Sequence, residues 1–304
     1  MNNTYDLIIV GGGITGMTAA IYAARANLKT LVLEKMVCGG LVNSTHVVEN
    51  FPSYPSINGM DLMEKVRDHV DALGVEVIEI VEIESLHLTG ERKSVVTDEG
   101  DFSSSAIILA TGRTPRKLPI ETDFEQIHYC AICDGTAYKD KDVVVIGGGN
   151  SGVDESLYML GLGVRSILVV EEFDRLLASE SACRQLTSSP DVEVMTSTRI
   201  EAIHGNGRLE SISLRKKDDD SRLTKAVDGI FVYIGQDPQT DLYVEQLELD
   251  KAGYIPVDSE MKTALPGVFA AGDVIQKKFR QITTAMGDGT IAALSAIEYL
   301  TTLR

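Results

Sequence analysis

Asp6-Leu-Ile-Ile-Val-Gly11-Gly-Gly13-Ile-Thr-Gly16 returns later in the chain as Asp142-Val-Val-Val-Ile-Gly147-Gly-Gly149-Asn-Ser-Gly152. Each copy is an apolar strand running into a GxGxxG loop. An alanine- or leucine-rich stretch follows, over 17–26 and 153–162, and then a second strand, Thr30-Leu-Val-Leu-Glu34 or Ser166-Ile-Leu-Val-Val-Glu171. Both copies therefore read as βαβ units of an α/β fold. The glycines permit a tight turn and let backbone N–H groups approach a pyrophosphate at the positive end of the helix. The acid 23 or 24 positions after the first glycine, Glu34 or Glu171, is placed to accept from ribose hydroxyls. One such loop is weak evidence, but two with strand, helix, strand and acid in place predict two nucleotide sites. Gly11, Gly13, Ile14, Thr15, Gly16, Glu34 and Lys35 line the first. Gly147, Gly149, Asn150, Ser151, Gly152 and Glu171 line the second, as an NADH site or a vestige of one.

Cys130-Ala-Ile-Cys133-Asp134 lies just ahead of the second loop. Two thiols at this spacing can interconvert between dithiol and disulfide, one attacking a partner disulfide and its neighbour resolving the mixed disulfide. The spacing suits a helix N-terminus, where the macrodipole favours thiolate, and Asp134 is positioned to move protons to or from the leaving sulfur. Zinc would need four ligands, and no second CxxC or His pair stands at matching spacing, so no metal is expected. His128 reads as a domain-surface residue rather than a proton carrier. Cys38 and Cys183 lack a close sequence partner and read as buried or inert thiols.

The chain has 304 residues, 44% hydrophobic and 24% charged, ample for a large core. Its 28 basic and 45 acidic residues give a net charge of −17, which argues against nucleic-acid or anionic-membrane partners. No apolar run approaches a spanning helix, and the first strand starts at about Tyr5, leaving no room for a signal peptide. Four cysteines are too few for a disulfide scaffold, so a cytoplasmic protein with a catalytic CxxC is expected.

Ala106-Ile-Ile-Leu-Ala-Thr111-Gly112 and Val268-Phe-Ala-Ala-Gly272-Asp273 each look like a buried strand closing on a small-residue turn. With Gly39-Gly40-Leu41, Thr45, Glu49-Asn50-Phe51-Pro52 and Arg280-Gln281-Ile282, they resemble the FAD-binding elements of the low-molecular-weight thioredoxin reductase family. The resemblance covers almost the whole chain. Its most specific part is the CxxCD placed directly before the second loop. It implies two Rossmann-like nucleotide-binding domains, the second inserted into the first. An FAD domain of 1–113 plus 245–304 would carry an inserted domain of 114–244. The FAD site would add Gly40, Leu41, Thr45, Asn50, Val81, Thr111, Gly112, Gly272, Asp273, Arg280, Gln281 and Ile282 to the first loop. Cys133 would meet the flavin and Cys130 the protein substrate, thioredoxin. Rotation of the inserted domain about its linkers, one at Arg113-Thr-Pro115-Arg116, and a homodimer are implied in the same way. A final helix over Thr290–Leu300 is expected, opened by Met286-Gly-Asp288-Gly289.

One departure from the family pattern bears on the electron donor. NADPH-dependent members follow the second-domain strand with a His-Arg-Arg run and a further Arg, whereas this chain has Val170-Glu171-Glu172-Phe173-Asp174-Arg175. A 2′-phosphate about 4 Å from a carboxylate would meet repulsion of roughly 4 kcal/mol at an effective dielectric near 20. NADPH is therefore a poor donor. Either NADH binds with Glu171 on its ribose, or Glu171 and Glu172 form a solvated strand end and reduced ferredoxin delivers electrons, as in the pyridine-nucleotide-independent branch that the lost arginines resemble. Lys277-Lys278-Phe279-Arg280 is a basic island suited to an acidic ferredoxin, or else a solvated loop. A flavin-dependent dithiol oxidase passing electrons to oxygen would share nearly every motif. A non-enzymatic redox sensor would not need the CxxCD.

Overall fold

A computed structural model describes residues 3–303, and the chain divides into two compact units, one running to Thr114 and resuming at Asp237, the other Pro115–Gln236. In chain order the first unit opens with β1 (Thr4–Val10), α1 (Ile14–Arg25), β2 (Thr30–Glu34), α2 (Gly59–Ala72), β3 (Glu76–Glu79), β4 (Ile83–His87), β5 (Lys93–Thr97) and β6 (Gly100–Leu109). A short strand β7 (Arg113–Pro115) carries the chain into the second unit. There follow β8 (Ile127–His128), α3 (Ala131–Asp134), β9 (Asp142–Ile146), α4 (Asn150–Gly161), β10 (Ser166–Val170), α5 (Glu180–Thr187) and β11 (Val192–Met195). After them come β12 (Thr198–Gly205), β13 (Leu209–Lys216), β14 (Arg222–Ala226) and β15 (Gly229–Val232). The return strand β16 (Gln236–Pro238) pairs with β7, and the first unit closes with β17 (Val268–Ala270) and α6 (Ile282–Thr302).

The main sheet of the first unit has the order β3-β2-β1-β6-β5-β4, with β17 beside β6. β1 runs parallel to both β2 and β6, and its residues Leu7 to Ile9 are fully buried, as expected of a strand covered on both faces. β6 is long enough to serve two neighbours along one edge. Its first half pairs antiparallel with β5 and its second half parallel with β17. The second unit repeats the doubly wound pattern in the order β11-β10-β9-β15-β8, all parallel, with the antiparallel sheet β12-β13-β14 beside it in sequence. Its core lies in two clusters, one containing Ile212, Leu214 and Ile230, the other Val145, Val153 and Phe231.

The structure moves two expected boundaries. The return crossing falls at Gln236/Asp237 rather than near 245, because Tyr243 is buried in the core of the first unit. Cutting the chain at 245 would part Tyr243 from the 245–304 segment of that unit. The last helix starts at Ile282, not near 290, because Gln281 and Thr284 close a capping box and satisfy its first turn. Gly287 and Gly289 consequently lie inside the helix rather than ahead of it. Gly289 is there for packing, since a Cβ on it would sit 2.4 Å from the Thr15 carbonyl oxygen of α1. Gly289→Ala is expected to cost about 1–3 kcal/mol by overpacking this crossing, read as a lowered Tm of the holoenzyme. An unchanged Tm would mean that the two helices separate freely.

Candidate active site

The two glycine loops are geometric copies as well as sequence copies. Gly11 and Gly147 turn at φ +109° and +108°, and a Cβ on either would collide with a carbonyl oxygen, that of Ala110 at 2.3 Å or of Tyr233 at 2.2 Å. Gly16 and Gly152 each bring the helix so near its strand that a Cβ would lie 1.9 Å from the Gly11 or Gly147 oxygen. The second glycine of each motif, Gly13 or Gly149, has open space on its Cβ side and stands at the N-cap of α1 or α4 with no side chain capping the helix. Two helix ends are thus left with free amides facing a vacant glycine, the arrangement that takes a phosphate.

Most of the remaining residues expected at the first site make contacts within the first unit. Gly39 pairs with the loop, its N–H donating to the Gly12 carbonyl at 2.9 Å, which sets Gly40 and Leu41 at the rim. Val81 is buried behind Glu34 and donates its N–H to the Glu34 carbonyl. Thr111 Oγ1 donates to the Gln239 carbonyl at 2.7 Å, and Gly112 accepts from the Gln239 N–H. Gly272 lies against Thr15, close enough that a Cβ would approach its Oγ1 to 2.3 Å. Arg280 donates to the carbonyls of Asp273, Ile275 and Lys277, and Gln281, just before Ile282 opens α6, accepts from Asn50 Nδ2 at 3.1 Å. Thr45 ends the short turn after Leu41 and accepts from the Gly59 N–H. Lys35 stands apart, extended on the surface to Glu82. Asp273 Oδ1 is buried without a hydrogen bond among the described residues and faces Lys277 Nζ at 3.3 Å. Uncapped helix and open glycine together fit the phosphates of a dinucleotide such as FAD.

The acids at the strand ends are also twins. Glu34 accepts from the amides of Gly12 (2.6 Å) and Met36 (2.9 Å), and Glu171 from those of Gly148 (2.6 Å) and Phe173 (2.9 Å). Glu171 is 5% exposed, which corrects the reading of it as a solvated strand end. Both its oxygens are bound because the loop amides need acceptors. Glu172 is exposed and paired with Lys217. Leu176 lies against Gly148, and the Leu177 N–H donates to the Gly148 carbonyl.

The basic island is mostly spent within the first unit. Lys277 is shielded and paired with Asp288 (2.7 Å) and Asp273 (3.3 Å), while the Arg280 guanidinium caps carbonyls and lies over the Tyr254 ring. Lys278 and Phe279 are what it presents outward. Cys38 is buried, and burial, reinforced by Glu79, pushes its thiol up to about 12, which makes it inert.

Cys130 and Cys133 form a disulfide with Cα atoms 5.4 Å apart. Cys130 is the N-cap of α3, its Sγ accepting from the Cys133 N–H at 3.2 Å. That amide favours charge on the Cys130 sulfur, whereas Cys133 is the more exposed of the pair. Asp134 Oδ2 lies 3.1 Å from His128 Nδ1, and His128 Nε2 lies 2.6 Å from the Tyr138 hydroxyl. The expectation of a surface His128 is corrected: β8 pairs it with Phe231, and its side chain is only 15% exposed. Nothing in the sequence signalled Glu155. It projects from α4, accepts from the Ala131 N–H between the two cysteines, and leaves Oε2 buried without a hydrogen bond among the described residues. Burial, with Asp154 adding to it, pushes its carboxyl up to about 7. The same Ala131 N–H donates to the Tyr233 hydroxyl at 3.0 Å. Among the described residues no cluster of His, Cys, Asp and Glu could hold a metal ion, and no helix is long and apolar enough to cross a membrane.

Comparison with known proteins agrees with this geometry. The family described as Pyridine nucleotide-disulphide oxidoreductase matches residues 5–289. A protein named for the rubredoxin operon of Clostridium pasteurianum is 40% identical, with 97% of each chain covered. The thioredoxin reductase of Treponema pallidum is 38% identical over the full length of both chains. Among solved structures, Lactococcus lactis thioredoxin reductase superposes with a TM-score of 0.93 at 37% identity, covering 98% of this chain and 99% of its own. With two nucleotide loops, a CxxC disulfide and these full-length relatives, the chain belongs to the pyridine nucleotide-disulphide oxidoreductase family, as an FAD-dependent disulfide oxidoreductase of the thioredoxin reductase type.

Proposed function

We propose that this enzyme reduces the disulfide of a thioredoxin through Cys130 and Cys133, drawing its electrons from reduced ferredoxin or a similar small redox protein rather than from NADPH. When bound at the first loop, FAD supplies the two electrons that open the Cys130–Cys133 disulfide. The two sulfurs then hold those electrons as a dithiol after taking up two protons. The Cys130 thiolate attacks one sulfur of the thioredoxin disulfide, forming a mixed disulfide and expelling the other sulfur as thiolate, which Asp134 protonates. Cys133 attacks Cys130 Sγ, restores the internal disulfide and releases the reduced thioredoxin. Thioredoxin as the substrate rests on the names of the full-length relatives.

The observation that carries the donor reading is the acidic end of β10. Glu171 and Glu172 stand at the strand end where a 2′-phosphate would need cations, and Lys217, which reaches this end, is already paired with Glu172. The relative from a rubredoxin operon supports a small redox protein as donor. The basic island supports it less, since only Lys278 and Phe279 face outward. A second reading, NADH as donor, is favoured by one specific feature: α4 keeps its free amides and open Gly149 as fully as α1 keeps its own.

Anaerobic bleaching of the flavin band separates these readings. NADPH is expected to leave the band unchanged and reduced ferredoxin to bleach it within the time of turnover. Rapid bleaching by NADH alone would overturn the ferredoxin reading and make Glu171 the ribose acceptor. Fast reoxidation by oxygen without any need for thioredoxin would identify a dithiol oxidase instead.

A further inference from the structure

Next to the CxxC, three side chains that are far from adjacent in character form a line. Asp134 closes the α3 turn and bonds His128 through Oδ2 and Nδ1, 3.1 Å apart. His128 Nε2 meets the Tyr138 hydroxyl at 2.6 Å. Phe231 fixes the line from the side, its ring centroid 5.0 Å from that of His128 and 5.3 Å from that of Tyr138. Room for the tyrosine is made by Gly229, where a Cβ would fall 2.2 Å from the Tyr138 ring. The register of β8 on β15, His128 opposite Phe231, holds the imidazole in place.

We propose that His128 is a positioning residue for thiol–disulfide exchange: held by Tyr138 and Phe231, it presents its Nδ1–H to Asp134 and fixes the carboxyl that exchanges protons with the CxxC sulfurs. The inference rests on the reading of Asp134 as that proton carrier. Burial, with Asp134 and Asp228 adding to it, pushes the Tyr138 phenol up to about 12, so its hydroxyl stays neutral and can either donate or accept. The Asp134 carboxylate, which as an anion only accepts, selects the imidazole with its proton on Nδ1, and Nε2 then accepts from Tyr138. The second carboxylate oxygen, Oδ1, is left to serve the sulfurs. A loose Asp134 would have to find the leaving thiolate from many rotamers, and misplacement of an acid–base group is costly because proton transfer demands hydrogen-bond reach.

The test uses FAD-loaded enzyme reduced by one equivalent of dithionite and mixed with oxidised thioredoxin, so that no donor need be assumed. His128→Leu, His128→Gln, Asp134→Asn and the double variant His128→Leu/Asp134→Asn are compared with the native protein. Asp134→Asn is expected to slow exchange about 100-fold. His128→Leu should slow the maximal rate about tenfold with the thioredoxin concentration for half-maximal rate unchanged, and the double variant should be no slower than Asp134→Asn alone. Glutamine, which can also donate to Asp134 and accept from Tyr138, should restore most of the loss. Alkylation of the reduced CxxC by iodoacetamide in the FAD-free protein should follow the same order. Multiplying effects in the double variant would overturn the proposal, as would a native rate for His128→Leu or a glutamine no better than leucine. Asp134→Asn at the native rate would instead remove Asp134 as the proton carrier, a distinct failure.

Discussion

Cys130→Ser is expected to abolish thioredoxin reduction, down to the rate of uncatalysed exchange, while leaving the flavin reducible by the physiological donor. The loss is total because serine can neither carry a thiolate at neutral pH nor close the disulfide that stores two electrons between the flavin and the substrate. Cys133→Ser should be equally inactive in turnover, but with a different residue of chemistry. Its Cys130 can still attack thioredoxin, and with no resolving thiol the mixed disulfide accumulates as a covalent complex visible on a non-reducing gel. The prediction follows from the Cys133 amide aimed at Cys130 Sγ, which stabilises charge on that sulfur. Exposure points the other way, since Cys133 is the more accessible of the two. The amide decides the role, because the attacking species is the thiolate and accessibility does not set its population. Trapping by Cys130→Ser in place of Cys133→Ser would reverse the two roles.

Glu155→Gln is expected to make the protein more stable by about 3 kcal/mol at pH 8 relative to pH 5, compared with the native chain. The sign follows from the direction of the shift. Burial raises the folded carboxyl from 4.5 to about 7, so between those values the folded state holds a proton that the unfolded state has released. Stability from this group is therefore fully present below about 4.5 and is lost as pH rises through about 7. Glutamine stays neutral throughout and avoids the desolvation of a charge whose Oε2 has no hydrogen bond among the described residues. Urea midpoints of the FAD-loaded protein at pH 5 and 8, native against variant, check it. Parallel pH dependences would mean that Glu155 is ionised and solvated. The position matters for function as well as stability, because the Glu155 carboxyl and the Tyr233 hydroxyl converge on the amide of Ala131, inside the redox turn.

Both βαβ units were legible from the residues alone, since each rests on patterns confined to about thirty positions: an apolar run, three glycines at fixed offsets, an acid at the next strand end. The CxxCD turn was equally legible, because its chemistry depends on spacing within one helical turn. Thr111-Gly112, Gly272-Asp273 and Arg280-Gln281 were singled out in the same way, each a small-residue or polar break after an apolar stretch. The charge of Lys277 and Arg280 misled for the opposite reason. Asp288, which neutralises Lys277, lies on α6, and the carbonyls that occupy Arg280 become available only once the chain has turned back on itself.

By itself, then, the amino-acid order determined the α/β class, the two glycine loops, the CxxC pair and the acidic end of β10, all set by local geometry or by charge at a known offset. Tertiary structure alone decided that Tyr243 belongs to the first unit, that Glu171 is buried on loop amides, and that His128 joins Asp134 to Tyr138 while Glu155 accepts from the amide inside the redox turn. The physical reason is common to these cases. Burial and hydrogen-bond partners are properties of surfaces brought together by strand order, here β8 on β15 and α4 behind α3, and no short-range pattern encodes which distant side chain will fill the space a neighbour leaves.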